Sequence, residues 1–127
     1  HSVRELCRKL EQRFPESAEI PDIVRERADE GYQSDRRFTD DRVRAALTRG
    51  HGPLKLRHAL YQAGIDSALA DQVLEDADIE WTEQARAILF RKFGEQPPAD
   101  RKEQARRARF LSSRGYPAHI VGELILL

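Results

Sequence analysis

Four histidines, His1, His51, His58 and His119, and one cysteine, Cys7, are the residues of this 127-residue chain best suited to hold a metal or activate a nucleophile. Neither chemistry is supported by their spacing. No two histidines stand three or four positions apart, where one helix face would bring them together. Cys7 has no second sulfur and no imidazole nearby in sequence, whereas a zinc site needs about four converging ligands. It reads as a packed thiol. Asp40 and Asp41 are adjacent carboxylates, but neighbours on a helix point about 100° apart and cannot share a proton or an ion. Gly50-His51-Gly52 lacks the Lys-Ser/Thr that completes a phosphate-cradling loop, so its glycines read as a tight turn. No residue set for catalysis emerges, and no cofactor or metal is expected.

The remaining chemistry is charge. The formal net charge is +0, but it is unevenly spread. Residues 65 to 83 hold seven acidic groups and no Lys or Arg, while residues 86 to 114 hold nine basic groups against three acidic ones. Arg101, Lys102, Arg106, Arg107, Arg109 and Arg114 fall within fourteen positions. Lys102 and Arg106 are one helical turn apart. Such density can neutralise phosphates or meet an acidic protein surface. Aromatic residues able to stack on unpaired bases are few there, and Phe110 is expected inside. A plain solvated helix face is the competing reading.

The elements that would position these groups are helical. Ser2 and Glu5 make a capping box for a first helix over residues 2 to about 13, with Leu6 and Leu10 on its buried stripe. Pro21 opens a second helix, expected to end near Gly31. Ser34 or Asp35 starts a third, running to Arg49 with Phe38, Val43, Ala46 and Leu47 inward. Pro53 restarts the chain after the glycines, and Gly64 closes that helix. Asp66 caps the next, and Trp81 opens another that Gly94 ends. Glu95-Gln96-Pro97-Pro98-Ala99 reads as a linker, since consecutive prolines oppose a helix. Asp100 with Glu103 caps the basic helix, and Pro117 starts the last. Trp81 is expected to anchor one unit on the next, and Tyr32, Tyr61 and Tyr116 to pack near unit junctions. The sum is an all-α chain of roughly eight helices without strands.

The helices repeat. With Ser2, Gly52 and Tyr116 placed in register, Leu6, Leu56 and Ile120 coincide, as do Leu10, Leu60 and Leu124. The steps are 50 and 64 residues. Spaced copies of one helical unit describe a tandem array, which is more often a binding surface than a catalyst. No apolar run reaches the ~20 residues of a membrane helix. One cysteine permits no internal disulfide and fits a reducing, cytoplasmic setting. His1 stands at a helix cap, so an upstream segment is expected.

Several segments in order resemble the RecX regulatory proteins, modulators of the RecA recombinase. They are Gly31-Tyr32-Gln33-Ser34-Asp35-Arg36-Arg37-Phe38, Arg49-Gly50-His51-Gly52-Pro53-Leu54-Lys55-Leu56-Arg57, Gln62-Ala63-Gly64-Ile65 and Arg109-Phe110-Leu111-Ser112-Ser113-Arg114-Gly115-Tyr116. Gln33-Ser34 departs from the hydrophobic and acidic pair common in that family. The resemblance implies an elongated, curved array of three three-helix units, the first lacking its first helix: residues 1–32, 33–80 and 81–127. It also implies a non-enzymatic monomer lying in the groove of the RecA nucleoprotein filament. There it would suppress ATP hydrolysis, strand exchange and filament growth, with flexing between units expected at Gln96-Pro97-Pro98. Contact is expected through Lys55 and Arg57 in the second unit and Arg101, Arg106, Arg107, Arg109 and Arg114 in the third. Each would pair with the recombinase or make a weak direct contact with DNA phosphates. The alternatives are a stand-alone helical nucleic-acid-binding module, which the near-zero net charge disfavours, and a self-associating scaffold.

Overall fold

A computed structural model describes residues 22–125 of the chain. The expected first helix, its capping box, Cys7, His1 and Pro21 lie outside the described residues. Within them are six α-helices and no strand: α1 (Asp22–Arg49), α2 (Pro53–Gln62), α3 (Ser67–Ala77), α4 (Trp81–Phe93), α5 (Arg101–Ser113) and α6 (Ala118–Ile125).

The expected break between Gly31 and Ser34 is absent. One helix of 28 residues runs through it. A glycine inside a helix costs about 1 kcal/mol, too little to stop a helix that gains elsewhere. Gly31, Thr39, Val43 and Ala46 lie along its buried side. Ser34 does not cap. Its hydroxyl accepts from Arg37 Nη2 at 3.4 Å within the helix. The Thr39 hydroxyl donates to the Asp35 carbonyl at 2.7 Å, so this buried polar group is satisfied one turn back.

The other helix ends are where the residues put them. Asp66 accepts from the Ala68 amide at 2.9 Å and starts α3. Asp100 accepts from the Glu103 amide at 2.8 Å and starts α5. Pro53 stands at the first turn of α2, where a missing N–H costs nothing. The acidic segment is partly consumed inside the fold. Asp71 of α3 pairs with Arg57 of α2, and Asp76 with Arg36 of α1 at 2.6 Å. The Arg36 hydrogen bond holds the Asp76 carboxyl below the usual carboxylate range, helped by Gln72.

Two cores result. Helices α1, α2 and α3 enclose Val43, Ala46, Leu56, Leu60, Leu69 and Val73, with Ile65. Helices α4, α5 and α6 enclose Ala85, Ile88, Leu111, Tyr116, Ile120 and Val121. Trp81 packs against both, as an anchor between units should. Tyr116 is buried, but Tyr61, also expected to pack, is 77% exposed.

The order of the helices corrects the repeat register. Gly52 precedes the second helix of its unit, whereas Tyr116 precedes the third helix of its own. The equivalent of Gly115-Tyr116 is Gly64-Ile65, 51 positions earlier. The bonding agrees: Gly64 and Gly115 both take positive φ. Ile65 N donates to Leu60 O, as Tyr116 N donates to Leu111 O. Leu60 and Leu111 are 1% and 0% exposed, the matching deep residues of the two cores. Periodicity alone pairs a second helix with a third because both carry aliphatic residues four apart, Leu56 and Leu60 in one and Ile120 and Leu124 in the other.

Candidate functional site: a basic cleft at the joint of two units

The two three-helix units meet through backbone. The turn after α1, Gly50-His51-Gly52, lies against the turn after α5, Arg114-Gly115-Tyr116. Gly52 N donates to Arg114 O at 2.6 Å and Leu54 N to Gly115 O at 2.9 Å. The Tyr116 hydroxyl donates to Gly50 O at 3.3 Å, and burial pushes its pKa up to about 12. Gln84 of α4 donates from Nε2 to Leu47 O at 2.9 Å. A Cβ at position 52 would stand 2.5 Å from the Gly115 carbonyl oxygen, so only glycine permits this approach.

The hinge expected at Gln96-Pro97-Pro98 therefore lies elsewhere than the joint. That segment connects α4 to α5 inside the second of these units. Arg107 ties it down, donating from Nη1 to Gln96 O at 2.8 Å.

A cleft of about 190 Å³ opens beside the joint. Its floor is Ile88 and Phe110, and its rim is Arg49, Arg91, Lys92 and Arg114. No carboxylate lines it, and none of the four cations makes an ion pair among the described residues. Lys92 Nζ and Arg114 Cζ stand 5.9 and 5.1 Å from the centre of the Phe110 ring, a cation–π geometry that holds them over an apolar surface. Phe110, expected in the interior, is only half-buried and serves this floor.

The local field is positive. His51 titrates below the ordinary imidazole value of 6.5, through burial first and then through Lys55, Arg114 and Arg49. The unfolded chain therefore takes up a proton at His51 before the folded one does. The stability this contributes is present above pH 6.5 and is lost as pH falls through the depressed folded value. Between pH 7 and 5.5, His51→Asn is expected to show a shallower fall in urea midpoint than the parent chain. Parallel profiles would refute this.

The seven cations singled out in the sequence scatter. Arg57 is engaged with Asp71. Arg107, with only 12% of its side chain exposed, bonds Glu103 and Gln96 and lies over Phe93. Arg106 stands 3.5 Å from Glu103, also over Phe93. Lys55, Arg101 and Arg109 are exposed and make no ion pair among the described residues. Only Arg114 joins the cleft. Arg49, Arg91 and Lys92 were missed because they belong to other helices. A signal existed: Arg44-Ala45-Ala46-Leu47 before Arg49 parallels Arg86-Ala87-Ile88-Leu89 before Arg91, 42 positions on.

Comparison with known proteins decides the family. Residues 34–74 match the second three-helix domain of RecX, and residues 78–125 the third. The chain belongs to the RecX family. It is 40% identical over 118 residues to the regulatory protein RecX of Halorhodospira halophila, covering 93% of this chain and 73% of that one. The RecX proteins of Acidithiobacillus ferrooxidans and Pseudomonas putida are 37% and 35% identical over 122 and 125 residues. Those alignments cover 96% and 98% of this chain, and 77% and 80% of the relatives. In this RecX-family chain Arg49 lies within the second-domain match and Arg91, Lys92 and Arg114 within the third. The cleft therefore straddles the seam between two tandem domains. Among the described residues no helix is long and apolar enough to cross a membrane, and no group of His, Cys, Asp or Glu is placed to hold a metal ion.

Proposed function

We propose that this chain restrains a RecA-type recombinase by lying as a monomer in the groove of its DNA filament, where it suppresses ATP hydrolysis, strand exchange and filament growth. Membership of the RecX family supports a regulatory role, and one observation carries the reading further. Two helical units are fixed to each other by backbone hydrogen bonds and present cations that the chain's own carboxylates do not neutralise. A rigid tandem body of this kind suits a repeating partner, since several modest contacts made together raise affinity beyond any one of them. Of the seven cations expected to make contact, Lys55, Arg101, Arg109 and Arg114 make no ion pair among the described residues and can pair outward. Arg57, Arg106 and Arg107 must first give up partners within the fold.

The test is single-strand-dependent ATP hydrolysis by RecA from the same source, titrated with this chain at fixed salt and excess DNA. Inhibition is expected at substoichiometric amounts, which sequestration of excess DNA cannot produce. Arg101→Glu with Arg109→Glu should weaken it about tenfold or more while leaving helicity unchanged. Arg107 is unsuited to the test because it is mostly buried. Absence of inhibition by the parent chain would overturn the proposal. DNA binding that persists without inhibition would favour a stand-alone nucleic-acid module.

A further inference from the structure

The basic cleft has a shape and charge that single out one kind of ligand, independently of any recombinase. Four cations with no counter-charge border a cleft of about 190 Å³. That is below the ~300–1,000 Å³ of pockets that engulf a whole small molecule. The lining offers a base no amide, hydroxyl or carboxylate side chain to read it, whereas all four cations match phosphoryl oxygens. The charge density agrees. A phosphodiester in a nucleic-acid backbone brings a single charge, and its neighbours lie further along the strand. A terminal phosphoryl group brings about −1.5 to −2 charges and three acceptor oxygens to one point. Guanidinium groups match such oxygens with paired donors. The Phe110 ring lies against Lys92 and Arg114 and takes water from one side of them, which strengthens their pull on an anion.

We infer that this cleft binds the phosphate end of a small polyphosphate, of the pyrophosphate and nucleoside di- or triphosphate class, with Arg49, Arg91, Lys92 and Arg114 as its ligands. The base and sugar stay outside, so the site does not distinguish one base from another. Arg49 ends α1 in one unit, whereas Arg91, Lys92 and Arg114 belong to the other. The bound anion therefore bridges the joint and holds the units together.

The experiment is isothermal titration calorimetry of the full chain in low-salt, magnesium-free buffer. The probes are pyrophosphate, ATP, GTP and an oligothymidylate without terminal phosphates. Pyrophosphate, ATP and GTP are expected to bind with affinities within about threefold of each other, and binding should weaken as salt rises. Arg49 and Arg91 are exposed, so Arg49→Ala and Arg91→Ala should leave the helical circular dichroism intact. Each should weaken pyrophosphate binding about tenfold. Arg101→Ala, away from the cleft, should not alter it. Binding of the oligothymidylate without pyrophosphate would overturn the inference in favour of a backbone reader. So would absence of binding to any probe, or pyrophosphate binding that survives both cleft substitutions.

Discussion

Replacing Gly115 with alanine is expected to lower the unfolding free energy by about 3 kcal/mol, read as a reduced urea midpoint. Two costs combine. Gly115 has φ +93°, a region that L side chains rarely adopt, and left-handed backbone costs an ordinary residue about 1–2 kcal/mol. The added Cβ would also stand 2.4 Å from Lys55 Cβ and 2.6 Å from Lys55 N. Relieving that contact requires α2 to move, and overpacking of this kind costs about 1–3 kcal/mol. The movement also strains the Leu54 N–H bond to Gly115 O, which closes the joint. Gly94→Ala shows what a conformational cost alone does. Gly94 has φ +79° and ψ −169°, a region nearly reserved for glycine that costs other residues about 1–3 kcal/mol. Nothing lies within 4 Å of a Cβ there, so that loss should leave the joint's amides as protected as before. A Gly115→Ala loss under about 1 kcal/mol would show that the approach of the turns contributes nothing.

Trp81→Ala is expected to cost about 3 kcal/mol and to change the form of unfolding as well as its midpoint. Large-to-small aromatic substitutions in cores cost about 3–5 kcal/mol. Trp81 is half-buried, which places it at the lower end. It contacts both cores and meets Tyr116 edge-on, with ring centres 6.5 Å apart at 72°, an arrangement worth about 0.5–1.5 kcal/mol beyond burial. Trp81 is the one hydrophobic side chain shared by both cores among the described residues. Without it, the units keep the turn hydrogen bonds, the Gln84–Leu47 bond and the approach of Lys55 to Gly115, but no common apolar anchor. A single cooperative transition should then separate into two, one for α1–α3 and one for α4–α6. Far-UV circular dichroism is the measurement, since Trp81 is the chain's one tryptophan and its fluorescence disappears with it. Trp81→Phe should keep most of the coupling. One sharp transition in Trp81→Ala, with a loss under about 1 kcal/mol, would refute the role of the ring. Because Gly115 and Trp81 act on one joint, their effects should add to less than the sum of the two.

The helix ends were legible because their chemistry is local. Asp66, Asp100, Pro53, Gly64 and Gly94 each act within a few residues of themselves. The continuity of α1 across Gly31 was not legible, because it depends on burial of a face whose partners, Leu56, Leu60 and Val73, come at least 25 positions after Gly31 and belong to other helices. The basic helix announced itself by density, yet density does not reveal pairing. Glu103 occupies Arg106 and Arg107, and Asp71 occupies Arg57. The cleft drew one arginine from α1, two cations from α4 and one residue just past α5. Only the docking of two turns brings them together, and that docking rests on backbone atoms at Gly52 and Gly115, to which charge and hydropathy patterns are blind.

The hydrogen bonds across that joint also give the molecule a built-in clock. The amide hydrogens of Gly52 and Leu54 are donated to the opposite unit. They exchange with solvent only when the turns part, whether or not either core has opened. The amides of Leu60 and Leu111 lie inside helices of separate cores and exchange only when those helices open. The exchange times of the first pair therefore measure how often the two units let go of each other, and those of the second pair how often each unit comes apart.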